Sequence, residues 1–484
     1  MFLPVLLVLL LQGLAGNRYG PFRDELYYQA CATRLDFGYV DHPPLSVWLL
    51  RAWSDLFSTS EASVRSLSAV ISVLSVLCIC RLTSRLGGSP AAVLIAGLVF
   101  AASPVMRVIG TLYSPNTLDP LTWGLATLCW YDCLEDRKSA GKWSLLGLAL
   151  GLACLNRLSG LWLIAALILG TAFSGAPWPS LPAVGAAAGV CGLCVAPWVG
   201  WQLAYHWPTV EFLRNANLYK LNRVGPVQFV LTQLAVMNIL SAPVWIAGVW
   251  TGIKSERRAG AIAFLTVVLI LLINGRSREN YLSPAYVFVV PGGAIAVSAW
   301  LRNWRLPAYA SALTLSGLLF GLICLPILPI DELASVLGRL PTPPSAEAGP
   351  KSRLQGLADT TGWPEMAEQV AAVWKKLPPQ TAIMASNYGE ASALLKYGPP
   401  LGLPPPICGH NQFWLWGPRD WDGKEALVLG EPGSEILSSF HSVQSLGSLS
   451  LPYATPEEAA APLRLAKDLN CPVTEFWARA KRFE

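Results

Sequence analysis

The sequence predicts an all-α polytopic membrane bundle of about eleven transmembrane helices with a small C-terminal α/β extramembrane domain. Three observations carry that expectation. Of 484 residues, 53% are hydrophobic and only 13% charged, whereas soluble domains carry about 25% charged residues. Apolar runs recur through residues 1–330, many near the roughly 20 residues that a helix needs to cross the hydrocarbon core. From Pro341 a Pro-rich stretch, PTPPSAEAGP, separates these runs from a tail patterned differently.

Residues 1–15 are mostly Leu and Val and read as a first, short span. A signal-peptide core would look similar, but no basic segment precedes it. Residues 16–60 form a polar outer segment in which Leu45, Trp48, Leu49, Ala52, Trp53, Leu56 and Phe57 recur at helical spacing. That stripe predicts an amphipathic helix lying in the membrane interface. Further apolar runs follow at 62–82, 89–106, 117–133, 143–155, 158–173, 181–203, 226–252, 259–274, 283–300 and 307–328.

An odd number of spans puts the chain ends on opposite sides. Arg81/Arg85, Arg137/Lys138/Lys142, Lys254/Arg257/Arg258 and Arg302/Arg305 fall on one set of alternating loops, which the positive-inside rule assigns to the cytoplasm. The other set, with 16–60, 205–225, 275–282 and the tail, shares the outer face, although it also holds Arg214, Lys220, Arg223, Arg276 and Arg278. The organisation is therefore a transmembrane domain over 1–330, a linker over 331–360 and a periplasmic or extracellular α/β domain over 361–484. Within the last, 363–374 and 390–396 read as helices and 382–386 and 426–429 as strands.

The net charge of +5 comes from scattered Lys and Arg rather than a cluster, which excludes a nucleic-acid patch and favours anionic membrane lipid as partner. Most of the 11 cysteines fall in apolar runs, so Cys191-x-x-Cys194 is weak as a redox or zinc motif, while a Cys408–Cys471 bridge in the tail is open. Ionisable groups gather at the outer span ends, because at a span centre each costs about 2.5–3.5 kcal/mol. Asp24-Glu25 and Asp41-His42-Pro43-Pro44 lie in the first outer segment, Asn116 and Asp119 at the mouth of one span, and Arg276, Arg278 and Tyr281 at another. Two acids opening a helix, a proline turn and interfacial arginines are the plain structural alternatives for these clusters. Together they offer a carboxylate, polar sugar-binding groups and guanidinium forks shaped for phosphate. That set suits a donor with a lipid tail, a phosphate and a sugar.

These residues also form a family pattern. Asp24-Glu25-x-Tyr27-Tyr28 followed by Gly38-Tyr39-x-Asp41-His42-Pro43-Pro44-Leu45 resembles the first outer loop of the family-39-like membrane glycosyltransferases of the C-type superfamily, the protein-mannosyltransferase and aminoarabinose-transferase relatives. The similarity continues through Trp207-Pro208-Thr209, Met237-Asn238 and Arg278-x-x-Tyr281-Leu282-x-Pro284, and in the tail through Asn387-Tyr388-Gly389-Glu390, Gly409-His410-Asn411 and Trp414-x-Trp416-Gly417. The family pattern often has Lys at position 278 and an aromatic residue at 280, where this chain has Arg and Asn.

The resemblance implies inverting transfer of a sugar from a polyprenyl-phosphate donor to a lipid, glycan or protein acceptor at the outer face of the plasma membrane. By it Asp24 is the general base, Asp41 and His42 help shape the sugar site, Asn116 and Asp119 line its far side, Arg278 with Arg276 attends the donor phosphate, and Glu25, Tyr28 and Tyr281 belong to the substrate-binding set. One carboxylate suffices, since phosphate leaves without protonation, unlike the alkoxide expelled by glycosidases. A divalent metal near Asp24 is an option for which the sequence shows no convincing ligand set. The rival classes are a lipid or sugar transporter, which would bury charges at mid-depth, and a non-catalytic membrane protein with a partner-binding tail. Gly409-His410-Asn411 and Trp414/Trp416 read as tail core or as an acceptor site, and removal of the tail is expected to alter acceptor use more than donor binding.

Overall fold

The computed structural model of the protein describes every residue except Met1, Asn17, Ala176, Glu256, Arg257, Arg302 and 340–354. The Pro-rich linker and the basic residues Arg257 and Arg302 thus lie outside the described residues. A helix begins or continues on each apolar run. In order these are α1 (Phe2–Ala15), the outer pair α2 (Arg23–Ala32) and α3 (Leu45–Leu56), then α4 (Glu61–Arg85), α5 (Pro90–Ala101), α6 (Pro104–Thr111), α7 (Pro115–Glu135), α8 (Ala140–Asn156), α9 (Ser159–Ala172) and α10 (Leu181–Ala204). After a short α11 (Pro208–Asn215) come α12 (Pro226–Val236), α13 (Ala242–Lys254), α14 (Arg258–Asn274), a 3-10 segment Glu279–Phe288, α15 (Val290–Trp300) and α16 (Arg305–Cys324).

Among the described residues, three helices are long and apolar enough to cross a membrane alone, α4, α10 and α16. Three bent pairs qualify when each is taken as one span, while α1, α8, α9 and α14 are apolar but shorter. The expected eleven spans are therefore not reached by length and composition; α7, which carries Asn116 and Asp119 in its first turns, stands outside that set.

The breaks answer each other. Between α5 and α6 the chain bends by 62°, and between α12 and the helical stretch from Ile239 by 96°. Ser103 at the first break donates its hydroxyl to the Val236 carbonyl at 3.2 Å, and Asn238 at the second donates to the Ala102 carbonyl at 3.3 Å and to Ser316 Oγ at 2.7 Å. Backbone groups freed inside a membrane core need such partners. Helix α1 packs into the bundle: Leu7, Val8, Leu11 and Ala15 are buried, and Gln12 donates to the Gly110 carbonyl at 2.5 Å and to Ser72 Oγ at 3.1 Å.

In α3 the residues turned into the protein are Ser46, Val47 and Leu50. Of the predicted stripe, Leu49 and Trp53 pack against the apolar core, while Leu56 and the following Phe57 are 77% and 65% exposed. The tail is α/β, with a four-stranded sheet of order β1-β2-β4-β3: β1 (Ala382–Ala385), β2 (Glu425–Leu429), β3 (Phe440–Ser448) and β4 (Pro462–Leu469). The β1–β2 pair is parallel and the other two are antiparallel. Helices Trp363–Trp374 and Tyr388–Tyr397 pack on this sheet, and one continuous apolar core joins their Met366, Val370 and Leu394 to Leu26, Tyr27 and Tyr28 of α2. Cys408 and Cys471 are both free thiols, so the bridge left open by the sequence is not made.

Candidate active site

Helix α2 starts at Arg23 because Glu25 reaches back to its start: Oε2 accepts the Phe22 amide at 2.8 Å. Oε1 accepts the Tyr113 amide at 2.8 Å, from the loop that leads into α7. Glu25 is 1% exposed, and burial pushes its carboxyl above the usual range while Arg65 and the two amides pull it back. Both Glu25 oxygens thus meet backbone amides in a closed site, where they brace the outer segment. Asp24, one residue earlier, is half-buried, and its Oδ1 accepts the Tyr388 hydroxyl at 2.8 Å.

Asp41 accepts the Tyr27 hydroxyl at 2.7 Å, and that hydroxyl in turn accepts the Gln412 amide of the tail at 3.3 Å. His42 is stacked on Tyr39 with ring centres 4.9 Å apart and sits edge-on to Tyr28, also at 4.9 Å. Its Nδ1–H donates to the Pro43 carbonyl at 2.9 Å. Pro43 and Pro44 fix the turn into α3, so sterics and aromatic packing hold the imidazole.

At the mouth of α7, Asn116 turns its amide to Ser114 Oγ at 3.2 Å. Asp119 is buried and takes three donors from the sharp junction of α8 and α9: Asn156 Nδ2 at 2.7 Å, Ser159 Oγ at 3.0 Å and Arg157 Nη1 at 3.2 Å. The Arg157 guanidinium also lies over the Tyr281 ring at 4.7 Å. Arg278 opens the 3-10 segment that carries Tyr281, its carbonyl accepting the Tyr281 amide at 3.1 Å, and Arg276 stands half-buried two residues earlier.

Tyr28 ties the two groups together. Its phenol is pushed well above its ordinary range, first by burial and then by the charges of Asp24, Asp41 and Tyr388, with Arg157 pulling the other way. The groups that act on Tyr28 come from the first outer segment, the α8–α9 junction and the tail. Tyr28, Asp119 and Tyr281 are joined in this way through Arg157, which the sequence reading did not single out. Its sequence signal is an Asn-Arg pair between two apolar runs, a pattern shared with interfacial snorkelling. Beside this junction, starting at Leu158 and Trp198 and running to Trp130 and Trp143, an almost wholly apolar groove of about 470 Å³ lies between α8, α9 and α10.

Among the described residues, no three His, Cys, Asp or Glu side chains cluster to hold a metal ion, and Asp24 and Asp41 each bond a tyrosine. The residues present do not fit a divalent metal, and no chemistry is routed through one. In the tail, His410 is buried, its Nε2 at 3.1 Å from the Glu484 carbonyl and its Nδ1 accepting from Arg482 at 3.1 Å. Burial, with Arg482 and Lys220, holds it well below the ordinary histidine range, hence neutral. Trp414 donates to the Trp477 carbonyl at 2.7 Å. His410 and Trp414 are packing residues of the tail, while Trp416 lies under the Arg34 guanidinium at 5.1 Å.

The family model described as dolichyl-phosphate-mannose-protein mannosyltransferase matches residues 41–201. The solved structure of ArnT from Cupriavidus metallidurans in the apo state superposes with a TM-score of 0.62 over 96% of this chain and 97% of that one, at 15% identity. Residues 41–201 thus resemble the protein-mannosyltransferase family, and the chain as a whole has the fold of ArnT. Of its C-type relatives, the lipid A galacturonosyltransferase RgtD of Rhizobium johnstonii is 23% identical over 306 residues, 61% of this chain and 64% of that protein. The undecaprenyl phosphate-alpha-4-amino-4-deoxy-L-arabinose arabinosyl transferase of Pseudomonas aeruginosa is 26% identical over 56% of this chain and 52% of that protein. The matches thus span less than two thirds of these curated relatives' length. ArnT solved with undecaprenyl phosphate has a TM-score of 0.60 at 14% identity, covering 96% of this chain and 97% of that chain. The segment matched by the C-type family model holds Asp41, His42, Asn116, Asp119 and Arg157 but starts after Asp24.

Proposed function

We propose that this chain is an inverting glycosyltransferase that moves a sugar from a polyprenyl-phosphate donor to an acceptor at the outer face of the plasma membrane. The observation that carries this reading is the set of held acids at the outer span ends, Asp24 bonded to Tyr388 and Asp119 to Arg157, beside an apolar groove that begins at Leu158. The donor tail lies in the groove between α8 and α10, and its phosphate reaches Arg157 and Arg278 at the top. Asp41, His42, Asn116 and Asp119 border the sugar. In the transfer, Asp24 takes the proton of the acceptor hydroxyl as the acceptor oxygen attacks the anomeric carbon opposite the phosphate. The bond from that carbon to the phosphate oxygen breaks, and its electron pair leaves with the polyprenyl phosphate. General-base help of this kind is worth about 10²–10⁴-fold. Fixed guanidinium groups stabilise the charge that collects on the leaving phosphate in a partly dry site.

The lipid A and undecaprenyl-phosphate names of the relatives support a lipid-linked donor and a lipid acceptor. The bent helix pairs would also suit a transporter, yet the polar cluster gathers at the span ends, which favours surface chemistry. Mass analysis of lipid extracts from a strain lacking the gene tests the reading. A lipid-linked sugar should accumulate and disappear on re-expression; an unchanged lipid-linked sugar pool alongside an altered distribution across the bilayer would favour transport instead.

A further inference from the structure

We propose that Tyr388, supplied by the C-terminal domain, is a positioning residue for Asp24, so that the transfer site is completed by a side chain from the far end of the chain. The proposal rests on Asp24 being the base. The Tyr388 hydroxyl donates to Asp24 Oδ1 at 2.8 Å. An ionised carboxylate only accepts, and burial together with the Asp24 charge raises the Tyr388 phenol well above its ordinary range, so it keeps the proton it donates. With Oδ1 pinned, the carboxylate plane is set and Oδ2 is left for the acceptor hydroxyl; such orientation is where proximity effects come from.

The surroundings are built for this contact. Tyr388 opens the helix Tyr388–Tyr397, whose start is fixed by Asn387 accepting the Glu390 amide at 3.0 Å. Its ring packs on Tyr27 and His410, each at 4.9 Å. Arg23, the neighbour of Asp24, clamps the tail through Asp359 and Glu458, both at 2.9 Å, and stands over the Trp363 ring at 5.8 Å. The Arg23 side chain lies so close to the start of helix Tyr388–Tyr397 that a Cβ on Gly389 would lie 2.7 Å from Arg23 Cγ. The second acid is braced in the same way, Gln412 of the tail holding the tyrosine that holds Asp41. A tail so attached is continuous with the outer segment that carries both acids.

The test uses full-length purified protein, the lipid-linked sugar that accumulates in the strain lacking the gene as donor, and undecaprenyl phosphate as a binding probe. Tyr388→Phe keeps the ring and should lower kcat about 10- to 100-fold, the worth of one hydrogen bond to a charged group, with undecaprenyl phosphate affinity unchanged. Added to Asp24→Asn, it should have no further effect, as expected of two residues acting as one unit. Gly389→Ala, which displaces the helix start with the hydroxyl intact, should lower kcat in the same direction. Wild-type kcat in Tyr388→Phe, or the same fold loss in the Asp24→Asn background, overturns the proposal while leaving Asp24 as base. Full turnover by Asp24→Asn overturns both.

Discussion

At the scale of single residues, the site is an arrangement of acids each held by a specific donor. Asp119 is the clearest case: a buried carboxylate is tolerated because three donors meet it, and one of them, Arg157, spends the rest of its planar fork on the Tyr281 ring. Lysine carries the same charge but neither the fork nor the stacking plane. Arg157→Lys is therefore expected to weaken undecaprenyl phosphate binding about tenfold or more, read by tryptophan fluorescence titration; unchanged affinity would remove Arg157 from the phosphate site. Asp24, Asp41 and Asp119 were legible in the sequence because carboxylates beside apolar runs stand out. Arg157 was not, since one charge in a two-residue loop looks like interfacial snorkelling. The partners of Glu25 are backbone amides, which no side-chain pattern announces.

At the scale of elements, capping and breaks do most of the positioning. Helix Tyr388–Tyr397 depends on Glu390, whose Oε2 accepts the amides of Ser386 and Asn387 at 2.7 and 3.3 Å. Burial, and then the Glu458 charge, push Glu390 up to about 8. Below the ordinary carboxylate range both folded and unfolded chains hold this proton; above it the unfolded chain releases the proton first, so stability falls as pH rises toward about 8. Glu390→Gln is expected to raise the melting midpoint of the full chain at pH 8, where the buried acid is most costly, and to change it little near pH 5. A fluorescence melt showing the same shift at both values would contradict this. The apolar runs were readable as helices, but not their bends. Asn238 takes a left-handed φ of 71° and Ser103 precedes a proline, features that become breaks only because each finds a carbonyl on the other span. Strand β3 was also invisible, being mostly exposed and serine-rich.

At the scale of the whole molecule, a membrane bundle and a soluble α/β domain share one core and one polar site. Composition leads one to expect a division into bundle, linker and tail, because a bilayer and water demand different side chains. What composition could not give is that the tail folds back onto α2, since that contact is made by Arg23, Gly389 and Tyr388, residues unremarkable in sequence. The account depends on Asp24 as the proton acceptor at the outer end of the bundle. The most direct measurement is turnover of the accumulated lipid-linked sugar by Asp24→Asn, compared with the unaltered protein at matched membrane insertion and abundance. A loss of at least about 10²-fold is predicted; equal turnover by the two proteins would contradict it.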